Sequence, residues 1–236
     1  MCGIVGLFIK DKILEKNLGK LLTEMLITMT DRGPDSAGIA VYSPYKSNKC
    51  KLTVQAINPI FDFDFLTDNL DKEFGIDYVF KRNDSHAVIE VDSIFSNKVK
   101  EYLKKIDSRL RLMSIGDSIE IYKDVGRPAT VAARFKIDQM VGSHGIGHTR
   151  MATESAVTTL GAHPFNTGLD QCLVHNGSLS NHNSLRRHLV RKGLTFETDN
   201  DTEVGAAYLT WKIKTGSSLT EALESAREDL DGFYTF

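Results

Sequence analysis

The sequence is poor in cysteine, proline and tryptophan and has no marked excess of either charge. Three cysteines, five prolines and one tryptophan occur among 236 residues, and 29 basic side chains are matched by 31 acidic ones. Three cysteines at unrelated spacings do not make a disulfide framework. A formal net charge of −2 argues against binding to nucleic acid or to an anionic membrane. No apolar run is long enough to span a bilayer, and the N-terminal one lacks the basic start of a signal peptide, so we expect a cytoplasmic protein.

The apolar pattern at the beginning of the chain predicts regular structure. Hydrophobic residues make up 41% of the sequence, which is enough for a sizeable core. Residues 2–9 are short, apolar and β-branched, as in a buried strand. Apolar residues at steps of three and four over 18–29 predict an amphipathic helix, and residues 37–42 predict a second strand.

The middle of the chain differs in character from both ends. Residues 46–140 are predicted to form an inserted α+β module with a helical stripe from Val99 to Met113. After Gly142 the chain is rich in glycine, histidine and small residues, which suits packed strands and loops that carry a site. Two later helices are predicted to begin with the spacing of a capping box, at Asn200 and at Ser218.

Cys2 is a candidate nucleophile. If the initiator methionine is removed, as is favoured when a small residue follows it, Cys2 carries a thiol and a free α-amine on adjacent carbons. The amine, with a pKa of about 7.7–8.0, can accept the thiol proton near neutral pH. An N-terminal threonine activated by its own amine is the same arrangement. The alternative interpretation is a chance cysteine in an apolar strand.

Two further segments contain groups suited to acyl transfer. Asn176 and Gly177 form an Asn-Gly pair, which can direct a side-chain amide and a backbone N–H to one point, as an oxyanion hole requires. Arg150 can form a bidentate pair with a substrate carboxylate, and Asp201 at a predicted helix start can bind an ammonium group. Taken singly, these residues are more typical of a hairpin turn, a solvated cation and a helix cap than of a site.

Together these segments resemble the class II glutamine amidotransferases, whose glutaminase domains are N-terminal nucleophile hydrolases. Six motifs occur in the order of that family: Cys2-Gly3-Ile4-Val5-Gly6, Arg32-Gly33-Pro34-Asp35-Ser36-Ala37-Gly38, His148-Thr149-Arg150 with Ala152-Thr153, Ala162-His163-Pro164-Phe165, His175-Asn176-Gly177, and Asp201-Thr202-Glu203. The second motif is most similar to the amidotransferase proteins related to glutamate synthases.

The resemblance implies a role for each matching residue. Cys2 is expected to attack the amide of L-glutamine, while Asn176 and the Gly177 N–H hold the oxyanion. A thioester forms, ammonia leaves and water releases glutamate. Neither a metal nor an organic cofactor is expected.

The resemblance also implies the substrate pocket. Arg150 is expected to bind the α-carboxylate of glutamine and Asp201 its α-amine, with Arg32 and Thr153 lining the pocket. The ammonia is expected to pass to a partner synthase subunit or domain, and homo-oligomerisation is left open. No nucleic acid or membrane partner is expected.

The family's fold is a four-layer αββα sandwich in the α+β class, here with residues 1–236 as one amidotransferase domain interrupted by the module at 46–140. Met151 and Glu154 depart from many family members beside the His-Thr-Arg motif. The last six residues read as the start of a strand that family members continue, so truncation at the C-terminus is expected. An exposed strand edge would follow from it.

Three other interpretations remain open. An idle binding or regulatory subunit with the same fold would not need a free Cys2 amine. An N-terminal cysteine hydrolase of another amide would keep Cys2 and Asn176 but not need Arg150 and Asp201. A metal site is suggested by His144 and His148 at i and i+4, although no third ligand accompanies them.

Overall fold

The computed structural model describes residues 2–58, 60–152 and 156–236. Within these ranges the strands are β1 (Gly3–Phe8), β2 (Ser36–Tyr42), β3 (Lys49–Ala56), β4 (Tyr78–Asn83), β5 (His86–Asp92), β6 (Leu110–Gly116), β7 (Ile119–Val125), β8 (His144–Arg150), β9 (Phe165–Gly168), β10 (Gln171–Leu173), β11 (Asn176–Leu179) and β12 (Gly232–Thr235). The α-helices are α1 (Leu18–Thr28), α2 (Phe63–Phe74), α3 (Ser96–Ile106), α4 (Pro128–Arg134), α5 (His182–Arg191), α6 (Asp201–Lys214) and α7 (Leu219–Asp229). None of these helices has the length and apolarity that crossing a bilayer requires.

The first sheet has the strand order β1-β8-β2-β7, with every pair antiparallel. Helix α1 covers one face of this sheet, because Leu18, Leu22 and Leu26 recur every four residues and all point to the same side. These side chains are fully buried and belong to one cluster with Ile39 of β2 and Phe135 beyond α4. The predicted helix and both predicted strands at the start of the chain are therefore present.

The other face of the first sheet packs against the β9–β10 hairpin. Ala40 and Ile121 form a cluster there with Leu160 and with Cys172 of β10. Helix α6 contacts both β9 and β10 from the far side. The order of layers is thus helix, sheet, sheet, helix, which confirms the predicted αββα arrangement of mainly antiparallel sheets.

A second four-stranded antiparallel sheet, ordered β4-β5-β3-β6, lies within the predicted module. Its apolar face packs on α2 and α3 through residues such as Leu52, Ile89, Leu66 and Val99. Strand β7 pairs with β2 of the first sheet, although the prediction assigned it to the module. The module's boundaries at 46 and 140 stay a prediction.

Two local predictions differ from the structure. The helical stripe beginning at Val99 ends at Ile106, because Asp107 adopts an extended conformation and Met113 lies in β6. At α6, the Asn200 side chain accepts a hydrogen bond from the Thr202 N–H, but Glu203 binds the backbone N–H of residues 197 and 198, so no capping box closes there. The capping box at Ser218 and Glu221 is present.

Candidate active site

The candidate site lies at one end of the first sheet. In the pairing of β1, β8 and β2, Gly3 is opposite Thr149 and Ser36 is opposite Arg150. Cys2, which precedes β1, therefore lies at the same sheet end as Arg150. A Cβ on Gly33 would lie 2.4 Å from the carbonyl carbon of Thr149. Only glycine allows this loop to pack so closely on β8.

The backbone carbonyl of Cys2 is held by two side chains from distant segments. It accepts hydrogen bonds from Arg32 Nε and from Asn176 Nδ2, each at 3.2 Å. The half-buried Cys2 thiol lies 4.0 Å from the carbonyl oxygen of Met151. Of the predicted residues, Cys2, Arg32 and Asn176 are thus in direct contact. Thr153 and Met1 lie outside the described residues.

Asp35 links the loop after α1 to the end of β8. Its carboxylate accepts the Ala152 N–H at 2.8 Å, and its own N–H donates to the carbonyl of Arg150 at 3.0 Å. The motifs alone gave Asp35 no role. Asp35 ends the Arg-Gly-Pro-Asp segment of residues 32–35, and an aspartate in such a segment readily accepts hydrogen bonds from backbone N–H groups.

Arg150 is buried at the end of β8, with 6% of its surface exposed. Its Nη1 donates to the carbonyl of Ala156 at 3.3 Å. The same nitrogen lies 3.2 Å from the position a Cβ would take on Gly161, so a side chain there would press on the guanidinium group. A guanidinium group can form a bidentate pair with a carboxylate, which keeps Arg150 a candidate for binding a substrate carboxylate.

The Asn176–Gly177 pair begins strand β11, which pairs with β12. Gly177 has φ of +136°, and a Cβ there would lie 2.0 Å from the carbonyl oxygen of Phe233. Glycine is therefore required for β12 to approach β11. The pair lies in a strand rather than in the predicted tight turn, and the Asn176 amide reaches the Cys2 carbonyl across 174 positions of the chain.

Asp201 is the first residue of α6 and faces the end of β11. One carboxylate oxygen accepts the Leu179 N–H at 2.8 Å, and the other lies 3.6 Å from His175 Nδ1. Burial alone would raise the pKa of Asp201, but the hydrogen bonds from His175 and Leu179 hold that pKa below its ordinary value. The carboxylate is therefore charged near neutral pH and suited to an ammonium group.

Two motif histidines, His163 and His175, contact Thr202, and a third, His148, contacts both of them. From the sequence, only His148 received an interpretation, as a metal ligand with His144. His163 Nε2 lies 2.7 Å and His175 Nδ1 2.9 Å from Thr202 Oγ1. His148 stacks on His163 at 4.0 Å and bonds through Nε2 to the carbonyl of His175 at 3.0 Å. Burial lowers the pKa of His148 to about 3 and that of His163 well below its ordinary value. Their clustering arises only when three separate motifs meet.

The metal-site interpretation does not fit the geometry. His144 and His148 are four residues apart in strand β8, which separates them by about 13 Å along the strand. His144 stacks on Tyr42 with ring centroids 4.0 Å apart, away from His148. Among residues 2–58, 60–152 and 156–236, no three metal-binding side chains are grouped.

Two clefts, of about 460 and 580 Å³, open elsewhere on the described part of the chain. The smaller lies between α3, β6 and α6, and the larger between the two four-stranded sheets. Cys2, Arg150 and Asp201 line neither. The candidate site is therefore identified by the hydrogen bonds that bring Arg32 and Asn176 to Cys2 at the sheet end, and not by a cleft.

Known proteins are similar to this chain over its whole length. A model of the glutamine amidotransferase domain matches residues 137–225. The glutamine amidotransferase-like protein GlxB of Rhizobium meliloti (strain 1021) is 58% identical over 236 residues, which are 100% of this chain and 78% of that protein. A putative glutamine amidotransferase of Methanothermobacter thermautotrophicus is 36% identical over 248 residues, covering 100% of this chain and 80% of that protein.

More distant relatives match over parts of their length. The glutamine–fructose-6-phosphate aminotransferase of Vibrio vulnificus (strain YJ016) is 42% identical over 96 residues, which are 41% of this chain and 16% of that protein. A solved structure of the allosteric regulatory enzyme of purine biosynthesis superposes with a TM-score of 0.54 at 17% identity, over 99% of this chain. The solved structure of the glutamine phosphoribosylpyrophosphate amidotransferase from B. subtilis superposes with a TM-score of 0.52 at 17% identity, also over 99% of this chain.

The solved structures and the full-length relatives support different conclusions. This chain spans 34% of the length of each solved structure, and at 17% identity the likeness shows the fold alone. Similarity to the glutamate synthase-related proteins in particular stays a prediction. The two relatives that this chain covers to 78% and 80% show the family. The chain therefore belongs to the class II glutamine amidotransferases, enzymes with the N-terminal nucleophile hydrolase fold.

Proposed function

We propose that this domain hydrolyses L-glutamine to L-glutamate and ammonia through a thioester on Cys2. The observation that carries the proposal is the 3.2 Å hydrogen bond from Asn176 Nδ2 to the Cys2 carbonyl. It joins the candidate nucleophile to the candidate oxyanion donor.

The reaction requires the mature chain to begin at Cys2. Its α-amine then takes the thiol proton while sulfur attacks the side-chain amide carbon of glutamine. The resulting tetrahedral intermediate collapses as the C–N bond breaks, and the ammonium form of the α-amine returns a proton to the leaving nitrogen. Water then attacks the thioester carbon, the C–S bond breaks, and glutamate leaves as the thiol is restored.

Asn176 and Gly177 are proposed to stabilise the negative oxygen of the tetrahedral intermediate. The Asn176 amide nitrogen carries two hydrogens, one of which binds the Cys2 carbonyl. The second hydrogen and the Gly177 N–H are proposed to bind the oxyanion. Donors held in place before the reaction stabilise the developing charge without reorganisation.

Arg150 and Asp201 are proposed to select the amino-acid end of glutamine. The buried guanidinium of Arg150 would bind the α-carboxylate, and the charged carboxylate of Asp201 would bind the α-ammonium group. Arg32, already fixed on the Cys2 carbonyl, lines the same end of the sheet. Thr153 is proposed to line the pocket by its motif alone.

The ammonia is proposed to reach a synthase subunit or domain that uses it as a nucleophile. Free ammonia is largely protonated in water near neutral pH and is then inactive as a nucleophile, so a shielded transfer is needed. Relatives named as a fructose-6-phosphate aminotransferase and a phosphoribosylpyrophosphate amidotransferase support transfer to an acceptor in this family. A cytoplasmic location is part of the same proposal.

The test is the intact mass of the protein before and after exposure to a glutamine analogue with an electrophilic carbon at the amide position. We expect a chain without Met1 and one adduct on Cys2, formed more slowly when excess glutamine is present. Cys2→Ala should give no adduct. Burial raises the pKa of the Cys172 thiol to about 11, so that cysteine should not react.

The other outcomes identify the competing functions. A retained Met1 and no adduct would overturn the proposal in favour of an idle subunit. An adduct on Cys2 that glutamine does not slow would instead indicate a hydrolase of another amide.

A further inference from the structure

We infer that Thr202 is a positioning residue whose hydroxyl connects His163 and His175 and thereby orients Asp201 and Asn176 for glutamine. The inference rests on the proposed function, because it assigns a task within that site. Thr202 is itself buried at 1% exposure, beside His163 at 5% and His175 at 3%. Water therefore cannot replace its hydrogen bonds.

The Thr202 hydroxyl joins three separate segments of the chain. His163 belongs to the segment before β9, His175 precedes β11, and Thr202 is the second residue of α6. The oxygen lies 2.7 Å from His163 Nε2 and 2.9 Å from His175 Nδ1. One hydroxyl thus connects the two strand segments to the start of the helix.

The neighbours of these three residues are the proposed substrate groups. Asn176 follows His175 in the chain, and Asp201 precedes Thr202. Gly161, two residues before His163, packs against the Arg150 guanidinium. A shift of the hydroxyl's partners would therefore move the oxyanion donor and the amine-binding carboxylate relative to each other.

The hydrogen positions in the network follow from the acceptors. The carbonyl of His175 can only accept, so His148 carries its hydrogen on Nε2. The Asp201 carboxylate, 3.6 Å from His175 Nδ1, favours a hydrogen on that nitrogen, which donates to Thr202 Oγ1. The hydroxyl then donates to His163 Nε2, so His163 carries its hydrogen on Nδ1.

Burial lowers the pKa of His148 and of His163, so these two rings act as fixed donors and acceptors rather than as acids or bases. The ring nitrogens that face away from the network, Nδ1 of His148, Nδ1 of His163 and Nε2 of His175, are buried without a hydrogen-bond partner among the described residues. Removing the hydroxyl would leave two more buried nitrogens unpaired, which is costly in a dry interior. The rings would then shift to find other partners.

The kinetic experiment compares Thr202→Val, Thr202→Ser and Thr210→Val. Valine keeps the branched shape and removes the hydroxyl, whereas serine keeps the hydroxyl. Thr210 is the matched control: it is buried on the same helix, and its hydroxyl bonds to the carbonyl of Ala206 at 3.0 Å. Glutaminase kcat and KM for glutamine are measured for all three variants and the wild type.

We expect Thr202→Val to raise KM about tenfold, through Asp201, and to lower kcat about tenfold, through Asn176. Thr202→Ser should stay within about twofold of the wild type in both constants, and so should Thr210→Val. The inference is overturned if Thr202→Val matches Thr210→Val, or if Thr202→Ser is as impaired as Thr202→Val.

An NMR experiment separates this inference from the proposed function. Long-range ¹H–¹⁵N spectra of histidine-labelled wild type should show His148 protonated at Nε2 and His163 at Nδ1. Thr202→Ser should keep the His163 and His175 signals, and Thr202→Val, where it folds, should move them but not those of remote His86. Other tautomers in the wild type, or unmoved signals in the valine variant, would disprove the network. An inactive wild type with these spectra would disprove only the proposed function.

Discussion

Asn176 uses one amide hydrogen on the Cys2 carbonyl and has a second hydrogen to offer a substrate oxygen. Arg32 donates to the same carbonyl, so the backbone of Cys2 keeps one hydrogen-bond partner if Asn176 is truncated. The contribution of Asn176 to the chemistry can therefore be measured separately from its contribution to the position of the nucleophile.

We predict that Asn176→Ala lowers kcat by about 10²–10³-fold, because an oxyanion donor is lost from a preorganised site. KM for glutamine should change little, since Arg150 and Asp201 are intact. Steady-state glutaminase kinetics check this, with intact-mass labelling of Cys2 as evidence that the site still forms. A kcat within threefold of the wild type would remove Asn176 from the oxyanion hole.

Lys123 is a buried lysine in β7 whose ammonium group contacts three backbone carbonyls and one aromatic ring. Its Nζ donates to the carbonyls of Leu160, Ala162 and Pro164 at 3.2, 2.7 and 3.1 Å, and lies 4.4 Å from the ring centre of Phe165. Burial lowers the pKa of Lys123 to about 7, although nearby glutamates oppose the shift.

The lowered pKa of Lys123 predicts how stability depends on pH. The unfolded chain, with an ordinary lysine pKa of about 10.4, binds more protons than the folded one above pH 7. The free energy of unfolding should therefore gain a positive contribution as pH rises from 7 to 9.5. Urea unfolding of the wild type and of Lys123→Met across this range gives the free energy of unfolding at each pH. The contribution of Lys123 is the difference between the two proteins in the slope of that free energy against pH. Equal slopes would contradict the lowered pKa.

At the scale of elements, Asp170 fastens the β9–β10 turn to the β6–β7 turn. Its carboxylate accepts the N–H groups of Asp117, Ser118 and Ile119 at 2.8, 3.0 and 3.0 Å. Asp170 itself has φ of +51°, a left-handed conformation that aspartate and asparagine tolerate better than most residues. One side chain thus supplies the hydrogen-bond acceptor for three successive N–H groups of the β6–β7 turn.

We predict that Asp170→Asn destabilises the protein by about 1–3 kcal/mol, because an amide nitrogen then faces backbone N–H donors that need an acceptor. Asparagine keeps the backbone conformation accessible, so the loss reports on the hydrogen bonds alone. Chemical denaturation measures it, with Asp68→Asn on the exposed surface of α2 as the matched control. If both variants lose equally little stability, the turn is held by other contacts.

At the scale of the whole molecule, the candidate site forms where segments distant in the chain pack closely at one end of the first sheet. The 32–35 loop rests on β8, and a Cβ at Gly33 would lie 2.4 to 2.6 Å from three backbone atoms of Thr149 and Arg150. By contrast, a Cβ at Gly6 of β1, in the same sheet, meets no atom within 4 Å.

We predict that Gly33→Ala destabilises the protein by about 1–3 kcal/mol and slows labelling of Cys2, because the loop that carries Arg32 must move away from β8. Gly6→Ala makes the same chemical change in open space and should leave both properties near their wild-type values. Thermal unfolding and labelling rates of the two variants test this. A Gly33→Ala protein that labels as fast as Gly6→Ala would show that the loop does not position Cys2.

The sequence by itself determined the family, the first strands and helix of the chain, and a list of candidate site residues. Periodicity predicted α1 because Leu18, Leu22 and Leu26 share one face, and it failed at the end of α3 because Leu110 and Met113 happen to continue the helical spacing in a strand. The motifs identified candidate site residues by residue type and by order along the chain. This identification does not require the distances between the residues in the fold.

Only the tertiary structure decided which of these residues meet. The hydrogen bonds from Arg32 and Asn176 to Cys2, and the bridge of Thr202 between His163 and His175, join positions up to 174 residues apart. No local pattern encodes such contacts, because they depend on sheet register and on the close approaches that glycines allow. The buried environment that lowers the pKa of His148 and Lys123 likewise arises only when the layers pack.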